Sequence, residues 1–295
     1  MIQKILVPLD GSSSSEMALP FAEAIAEKSD AGIILTTATR PDSPDLEPPY
    51  RSYLEQVGEK LRVHLESHGN GTPSKLDIHV LKGSPADEIL RYADEVDADI
   101  IVMAGRGSTG DGPWLLGSIA TRVTVASTKP VLVVKNPVAK TTLEPGKIFQ
   151  KILVPLDGSM PGESALPFTE ELAKIMGSEL ILFHAVQPTA SWMGAGIGGT
   201  YADIEVPENL KTSSLNYLQG MQKRLLSKGL KVKVVLQDGP AAELIINYAK
   251  AEAVDVIAVS THGRTGFSRW VFGSVTEKIL RYGDPAVLVI RASKI

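Results

Sequence analysis

The residues best suited to do chemistry lie in one short run, Ser260-Thr261-His262-Gly263-Arg264-Thr265-Gly266-Phe267-Ser268-Arg269, followed by Gly273-Ser274. Small residues at 260 and 263 let backbone N–H groups close on an anion. Gly273-Ser274 brings a second cluster of N–H groups and a hydroxyl. Arg264 and Arg269 add charge-assisted hydrogen bonds. Asp157, far upstream, is acceptor-only when ionised and suits a ribose hydroxyl or an exocyclic amine. Together these groups make a clamp for a nucleotide. The same residue types also describe a glycine loop with solvated arginines, and residue types alone do not separate the two.

The elements that must position this clamp are legible in each half of the chain. Ile5 to Val7 reads as a strand, followed by the turn Pro8-Leu9-Asp10-Gly11. Ser12 to Ser15 supplies N-cap hydroxyls, and Ser13-x-x-Glu16 fits a capping box. Met17, Phe21, Ala24 and Lys28 follow at helical spacing, with Pro20 requiring a late start or a kink. Gly32–Thr36, Leu76–Leu81, Ile100–Met103 and Val131–Val134 read as strands. Tyr50–His68, Pro85–Val96 and Trp114–Ser127 read as helices. Alternating strand and helix implies parallel strands with right-handed crossovers, hence a doubly wound α/β sheet. Ligands of such sheets bind beyond the carboxyl ends of the strands, where the strand order switches. The turn after strand one and the loop after strand four both belong there.

The chain repeats itself. KILVPLDGS spans Lys4 to Ser12 and again Lys151 to Ser159, an offset of 151 − 4 = 147. Ala18-Leu19-Pro20-Phe21 recurs as Ala165-Leu166-Pro167-Phe168. Further on the offset becomes 156, as in Gly117-Ser118 against Gly273-Ser274. The nine extra residues are expected in the Gly-rich stretch Ser191 to Gly199. A period this long is a whole domain rather than a solenoid repeat. Two domains are expected, residues 1–140 and 148–295, joined by a linker near Ala139 to Lys147 that Pro145 and Gly146 mark.

Composition narrows the classes further. The 295 residues contain no cysteine, which excludes disulfides, Cys-zinc sites and iron–sulfur clusters. The net charge is 30 − 34 = −4, which argues against nucleic acid as the main partner. Residues 1–147 carry 15 − 20 = −5 and residues 148–295 carry 15 − 14 = +1, so an anion prefers the second half. No apolar run is long enough to span a bilayer, and the N-terminal apolar stretch is too short for a signal peptide. A soluble, cytoplasmic protein with no membrane partner is expected.

KILVPLDGS, a third helix of the Gly-x-x-Ala type, and STHGRTG-x6-GS before PAVLVI resemble the universal stress protein family, twice over. The resemblance covers essentially the whole chain as a tandem two-domain form. It implies a Rossmann-like fold of the adenine nucleotide alpha hydrolase type, and ATP as ligand with Mg2+ accompanying the phosphates. The family's nucleotide pattern is Gly, two residues, Gly, nine residues, then Gly with Ser or Thr. Here Gly263 and Gly273-Ser274 fit the second half and Gly107 and Gly117-Ser118 the first, with Ser260 and Ala104 in place of the first Gly. Carried over, the resemblance places Pro155, Leu156 and Asp157 at the adenosine end, Ala185 on adenine, and Val259 and Ser260 beside base and ribose. It places His262, Gly263, Gly273, Ser274 and Val275 around the phosphates, where Arg264 adds charge. The first-half equivalents are Pro8, Asp10, Ala38, Met103, Ala104, Arg106, Gly107, Gly117, Ser118 and Ile119. Asp111 repels phosphate there and Pro113 lacks an N–H, so the second site is ranked first for occupancy. The resemblance also implies a regulatory role in stress adaptation, with slow ATP hydrolysis at most. It implies dimer-like pairing of the two domains through Val131–Val134 and Val287–Ile290, and leaves room for a homodimer. A nucleotide-free scaffold acting through protein contacts is the alternative.

Rival signals are weaker. Gly105–Gly110 and Gly194–Gly199 match G-x-G-x-x-G, but neither has the strand before, helix after and acid ~20 residues on that a dinucleotide site needs. There is no P-loop lysine motif and no G-x-S-x-G elbow. His64 and His68 share a helix face at i,i+4 spacing, but no third metal ligand accompanies them, and a solvated face is the simpler reading.

Overall fold

The computed structural model describes residues 1–39, 47–68, 75–107, 116–135, 148–186, 206–261 and 272–292. The first half runs β1 (Lys4–Pro8), α1 (Ser13–Glu16), α2 (Leu19–Ser29), β2 (Gly32–Thr39), α3 (Glu47–His68), β3 (Leu76–Lys82), α4 (Pro85–Glu95), β4 (Ile100–Ala104), α5 (Ser118–Ala126) and β5 (Val131–Val134). The second half repeats it as β6 (Lys151–Pro155), α6 (Met160–Glu163), α7 (Leu166–Met176), β7 (Glu179–Val186), α8 (Glu208–Leu226), β8 (Lys231–Asp238), α9 (Ala241–Ala251), β9 (Val256–Ser260), α10 (Ser274–Tyr282) and β10 (Ala286–Ile290).

All these strands form one ten-stranded sheet in the order β3-β2-β1-β4-β5-β10-β9-β6-β7-β8. Each half is a parallel, doubly wound α/β layer, as the alternation of elements requires. The halves meet where β5 and β10 pair antiparallel, Leu132 opposite Leu288 and Val133 opposite Val287. The pairing expected of the two last strands therefore occurs within one chain.

Central strands are apolar on both faces because both faces are covered. Ile5, Val7, Ile33 and Leu35 point to the face packed by α2 and α3, while Leu6, Ile34 and Ile101 point to the face packed by α4 and α5. Each apolar layer continues from one half into the other. On α3, Leu54, Val57, Leu61 and Leu65 are buried at the three- and four-residue spacing of one helix face. A second junction lies at α2, where Phe21 meets Phe149, in the turn ahead of β6, edge to face with centroids 5.6 Å apart.

Three local readings change. Ser12, not Ser13, caps α1: its Oγ accepts from the Ser15 N–H at 3.1 Å. The Asp10 carboxylate takes the Ser12 N–H and hydroxyl, which fixes Ser12 as the turn residue, and Glu16 instead accepts from Tyr53 OH at 3.0 Å. Helix α5 starts at Ser118 behind Gly117, with Leu116 and Gly117 outside it; Trp114 lies outside the described residues. The length difference between halves is not a single insertion of nine. Tyr53 and Tyr217 are equivalent, because each bonds the glutamate of the first short helix, and their offset is 217 − 53 = 164. Leu54 and Leu218, and Leu61 and Leu225, keep that offset and are buried. At β3 and β8 it returns to 232 − 76 = 156. Residues are thus gained before α8 and lost after it. The Gly-rich stretch and the linker both lie outside the described residues. Pro20 behaves as a late start: α2 begins at Leu19, so the missing N–H falls in the first turn, and Pro167 repeats this in α7.

Candidate functional site

Strands β1 and β4 are neighbours, but their registered ladder stops early. Only Ile5 with Ile100 and Leu6 with Ile101 are paired, although β1 runs on to Pro8 and β4 to Ala104. By contrast, β1 holds β2 from Lys4 to Pro8. The carboxyl ends of β1 and β4 therefore part, at the point where the strand order reverses. In the second half β6 and β9 part after Leu153 and Ile257. Such a split is where doubly wound sheets receive ligands.

An aspartate stands on one lip of each crevice. Asp10 Oδ1 accepts from the Ser12 N–H at 3.0 Å and the Ser12 hydroxyl at 2.5 Å. Asp157 repeats this with Ser159 at 3.0 and 2.6 Å. Both carboxylates are thus aimed by their own turn. In the first half Gly107, on the other lip, packs onto Asp10, and a Cβ there would collide with Oδ2. In the second half Gly162 of α6 lies against Asp157, and a Cβ there would sit 2.5 Å from Oδ1. Behind each aspartate a tyrosine hydroxyl donates to a glutamate, Tyr53 to Glu16 at 3.0 Å and Tyr217 to Glu163 at 2.8 Å. Burial, then the glutamate bond, holds both phenols above their ordinary range.

The other lip carries amides. Gly105 N–H donates to Val134 O at 2.7 Å, and Gly117 N–H donates to Gly105 O at 2.8 Å. The first helical bond of α5 is Thr121 N–H to Gly117 O, so the amides of Ser118, Ile119 and Ala120 precede the ladder. A Cβ on Gly117 would lie 3.6 Å from Gly105 O and 3.8 Å from the Arg106 Cα, so the glycine leaves open the gap between helix end and loop. In the second half Thr261 N–H meets Ile290 O, Gly273 N–H meets Thr261 O, and Glu277 N–H meets Gly273 O, each at 2.9 Å. The amides of Ser274, Val275 and Thr276 occupy the equivalent place. With the positive end of a helix dipole behind them, such amides suit an anion.

The family model described as universal stress protein family matches residues 1–135 and again 148–291. The chain belongs to the universal stress protein family. Universal stress protein YxiE of Bacillus subtilis (strain 168) is 30% identical over 148 residues, covering 49% of this chain and 100% of the relative. Universal stress protein Rv2005c of Mycobacterium tuberculosis (strain ATCC 25618 / H37Rv) is 25% identical over 310 residues, 98% of this chain and 97% of its own, and so shares the tandem arrangement. A universal stress protein from Archaeoglobus fulgidus DSM 4304 superposes with a TM-score of 0.71 at 19% identity, covering 99% of this chain and 100% of that one, a likeness of fold.

Within this universal stress protein the residues expected at the site divide cleanly. Pro8, Asp10, Met103, Ala104, Arg106, Gly107, Gly117, Ser118 and Ile119 all lie at the first crevice, with Ala38 near the end of β2 beside it. Pro155, Leu156, Asp157, Val259, Ser260, Gly273, Ser274 and Val275 take the same places in the second, with Ala185 near the end of β7. His262, Gly263 and Arg264 lie outside the described residues, as do Asp111 and Pro113. Residues not anticipated are Ser12 and Ser159 on the aspartates, the Tyr53–Glu16 and Tyr217–Glu163 pairs, and Ser164, whose hydroxyl lies 3.2 Å from that of Ser260. The glutamates were findable from their recurrence at 147; the tyrosines were hidden by the shifted offset. His64 lies 3.6 Å from Glu23, and among the described residues no group of three metal-ligating side chains gathers. No helix among them is long and apolar enough to cross a membrane.

Proposed function

We propose that this universal stress protein binds ATP at the two crevices, the second half ahead of the first, and acts as a regulator in stress adaptation rather than as a dedicated enzyme. The observation that carries this reading is the meeting, at the strand-order switch, of an aspartate aimed by its own turn with amides at a helix N-terminus that precede the helical ladder. The aspartate suits the hydroxyls or amine of a nucleoside, and the amides suit its phosphates. Gly117 leaves a cradle that a larger side chain would fill, and Gly107 lets the loop lie directly against Asp10. Mg2+ would accompany the phosphates. Turnover, on this reading, is slow at most.

Titration of the full chain with labelled ATP tests the reading. Gly273→Val and Gly117→Val should each remove one site, and mass spectrometry of the gently purified protein should show up to two nucleotides per chain. Absence of saturable binding at millimolar ATP would refute it and leave the nucleotide-free scaffold.

A further inference from the structure

A closed circuit of hydrogen bonds, completed by the helices α5 and α10, joins the two crevices through the β5/β10 seam. Gly117 N–H reaches Gly105 O at 2.8 Å, and Gly105 N–H reaches Val134 O at 2.7 Å. The next residue, Lys135, crosses the seam, and its Nζ donates to Ile279 O and Gly283 O at 2.7 Å each, at the C-terminal end of α10. The other half repeats the path. Gly273 N–H reaches Thr261 O and Thr261 N–H reaches Ile290 O, both at 2.9 Å. The next residue, Arg291, donates from Nη1 to Ala126 O, the last residue of α5, at 3.3 Å. Residues 117 and 273, 105 and 261, 134 and 290, and 135 and 291 share the offset 156, so the ring has a pseudo-twofold axis.

Each helix whose N-terminus faces a crevice is therefore capped at its C-terminus by a cation from the other half. That cation sits one residue beyond the strand position that anchors the other half's loop. A cation there complements the negative end of the helix dipole, as an anion complements the opposite end. Holding Gly117 and Gly105 in place fixes the strand end at Val134 to which Gly105 is bonded, and with it the Lys135 cap on the other helix; Gly273 and Thr261 act in the same way through Ile290 and Arg291.

We propose that this ring couples the two nucleotide sites positively, so that ATP held in one crevice raises the affinity of the other. The inference rests on the nucleotide-binding reading given above. Pre-ordering is the source of the gain: the second ligand meets a helix already fixed at both ends. The two caps are unequal. Burial pushes the Lys135 ammonium down to about 7, against the pull of Asp284 in the turn between α10 and β10. On α10 itself the charged side chains are Glu277, Lys278 and Arg281, of which Glu277 and Arg281 pair with each other at 3.0 Å. A guanidinium, unlike an ammonium, does not lose its proton in proteins. Coupling carried by Lys135 therefore weakens as pH rises past neutrality, and coupling carried by Arg291 does not.

The test uses the full chain and ATP as the probe. Gly117→Val, which fills the first cradle, should weaken ATP at the second site by about fivefold or more. In a Lys135→Met/Arg291→Met background the same block should leave the second site unchanged, and Lys135→Arg should restore the coupling. Hydrogen exchange without nucleotide is an independent readout. Lys135→Met should lower protection at Gly273, a full helix length from the lost cap, as well as at neighbouring Gly105. Coupling that survives loss of both caps, or protection at Gly273 that does not move, would overturn the ring. Should the wild-type chain bind no ATP, the nucleotide reading falls, and the exchange pattern alone decides whether the ring transmits.

Discussion

Replacing Gly107 by alanine probes the contact that closes the first crevice. The new methyl would collide with Asp10 Oδ2. Asp10 cannot yield freely, because Oδ1 holds the Ser12 N–H at 3.0 Å and the Ser12 hydroxyl at 2.5 Å. Swinging the carboxylate away breaks both bonds. Hydrogen bonds to a charged group are worth about 1.5–3 kcal/mol each, but this carboxylate is only half-buried and regains water, so the pair together should cost about 2–3 kcal/mol. Gly→Ala also narrows the unfolded ensemble, which returns about 0.4–1 kcal/mol. The net expectation is a loss of about 1–2.5 kcal/mol. Urea unfolding of Gly107→Ala, Asp10→Ala and the double variant measures it as a cycle. With the carboxylate gone the methyl has room, so Gly107→Ala should become neutral or mildly stabilising. ATP affinity of the first site should fall about tenfold in the single variant, the equivalent of 1.4 kcal/mol. Single effects that add to within about 0.5 kcal/mol would refute the packing of glycine on aspartate as the cause.

Three further outcomes are expected. Lys135 is pushed down to about 7 in the folded chain, while in the unfolded chain it keeps its ordinary value near 10.5. Between those limits the unfolded chain binds more protons, so stability should rise with pH from neutrality towards 10. The ceiling is roughly 5 kcal/mol, since one pKa unit is 1.36 kcal/mol, and the two carbonyl bonds that hold the ammonium reduce it. Denaturation of Lys135→Met across the same range should lack the rise, and identical slopes would exclude this lysine as the source. Tyr217→Phe should cost about 1–2 kcal/mol by removing the 2.8 Å bond to Glu163. In ultraviolet titration Tyr53 and Tyr217 should ionise late, so all seven tyrosines titrating in the ordinary range while the chain stays folded would contradict their burial beside glutamates.

Much of the architecture can be read along the chain because it rests on signals one residue type can carry. Apolar runs such as Ile100 to Met103 mark strands covered on both faces, and nine identical residues at Lys4 and Lys151 mark the duplication. What escapes are choices made by side chains across distance. Four consecutive serines offer equal caps, and Asp10 settles on Ser12 through two bonds that propensity does not contain. Tyr53 and Tyr217 look unrelated because the connections before and after α8 change length in opposite senses. Lys135 and Arg291 look like solvated strand ends until β5 and β10 pair antiparallel, which brings each against the other half's helix. The placement of the site at the crossover was legible for the opposite reason: strand order follows from alternation, and the switch point from strand order.

The glycine pattern itself can be ranked by what each position must do. Ala104 and Ser260 stand where the family pattern begins with glycine, yet both are the last residues of strands and still in register, Ala104 with Val134 and Ser260 with Ile290. Strand pairing imposes extended backbone there, which every residue adopts, so glycine is not required for conformation. Only volume is limited, since the two residues are 9% and 7% exposed. A hydroxymethyl is accommodated at 260 because Ser164 stands 3.2 Å away to meet its hydroxyl, while the first half has a methyl at 104 and Met17 at the sequence position equivalent to Ser164. Gly117 makes room without being crowded, as its imagined Cβ keeps ordinary contact distances. Gly107 alone among the three first-half positions is sterically obliged, because any side chain there displaces the aspartate on the facing lip. Bulk at 104 should therefore register as lost stability of the strand end, whereas bulk at 107 should register as lost orientation of Asp10, and the Asp10→Ala background distinguishes the two.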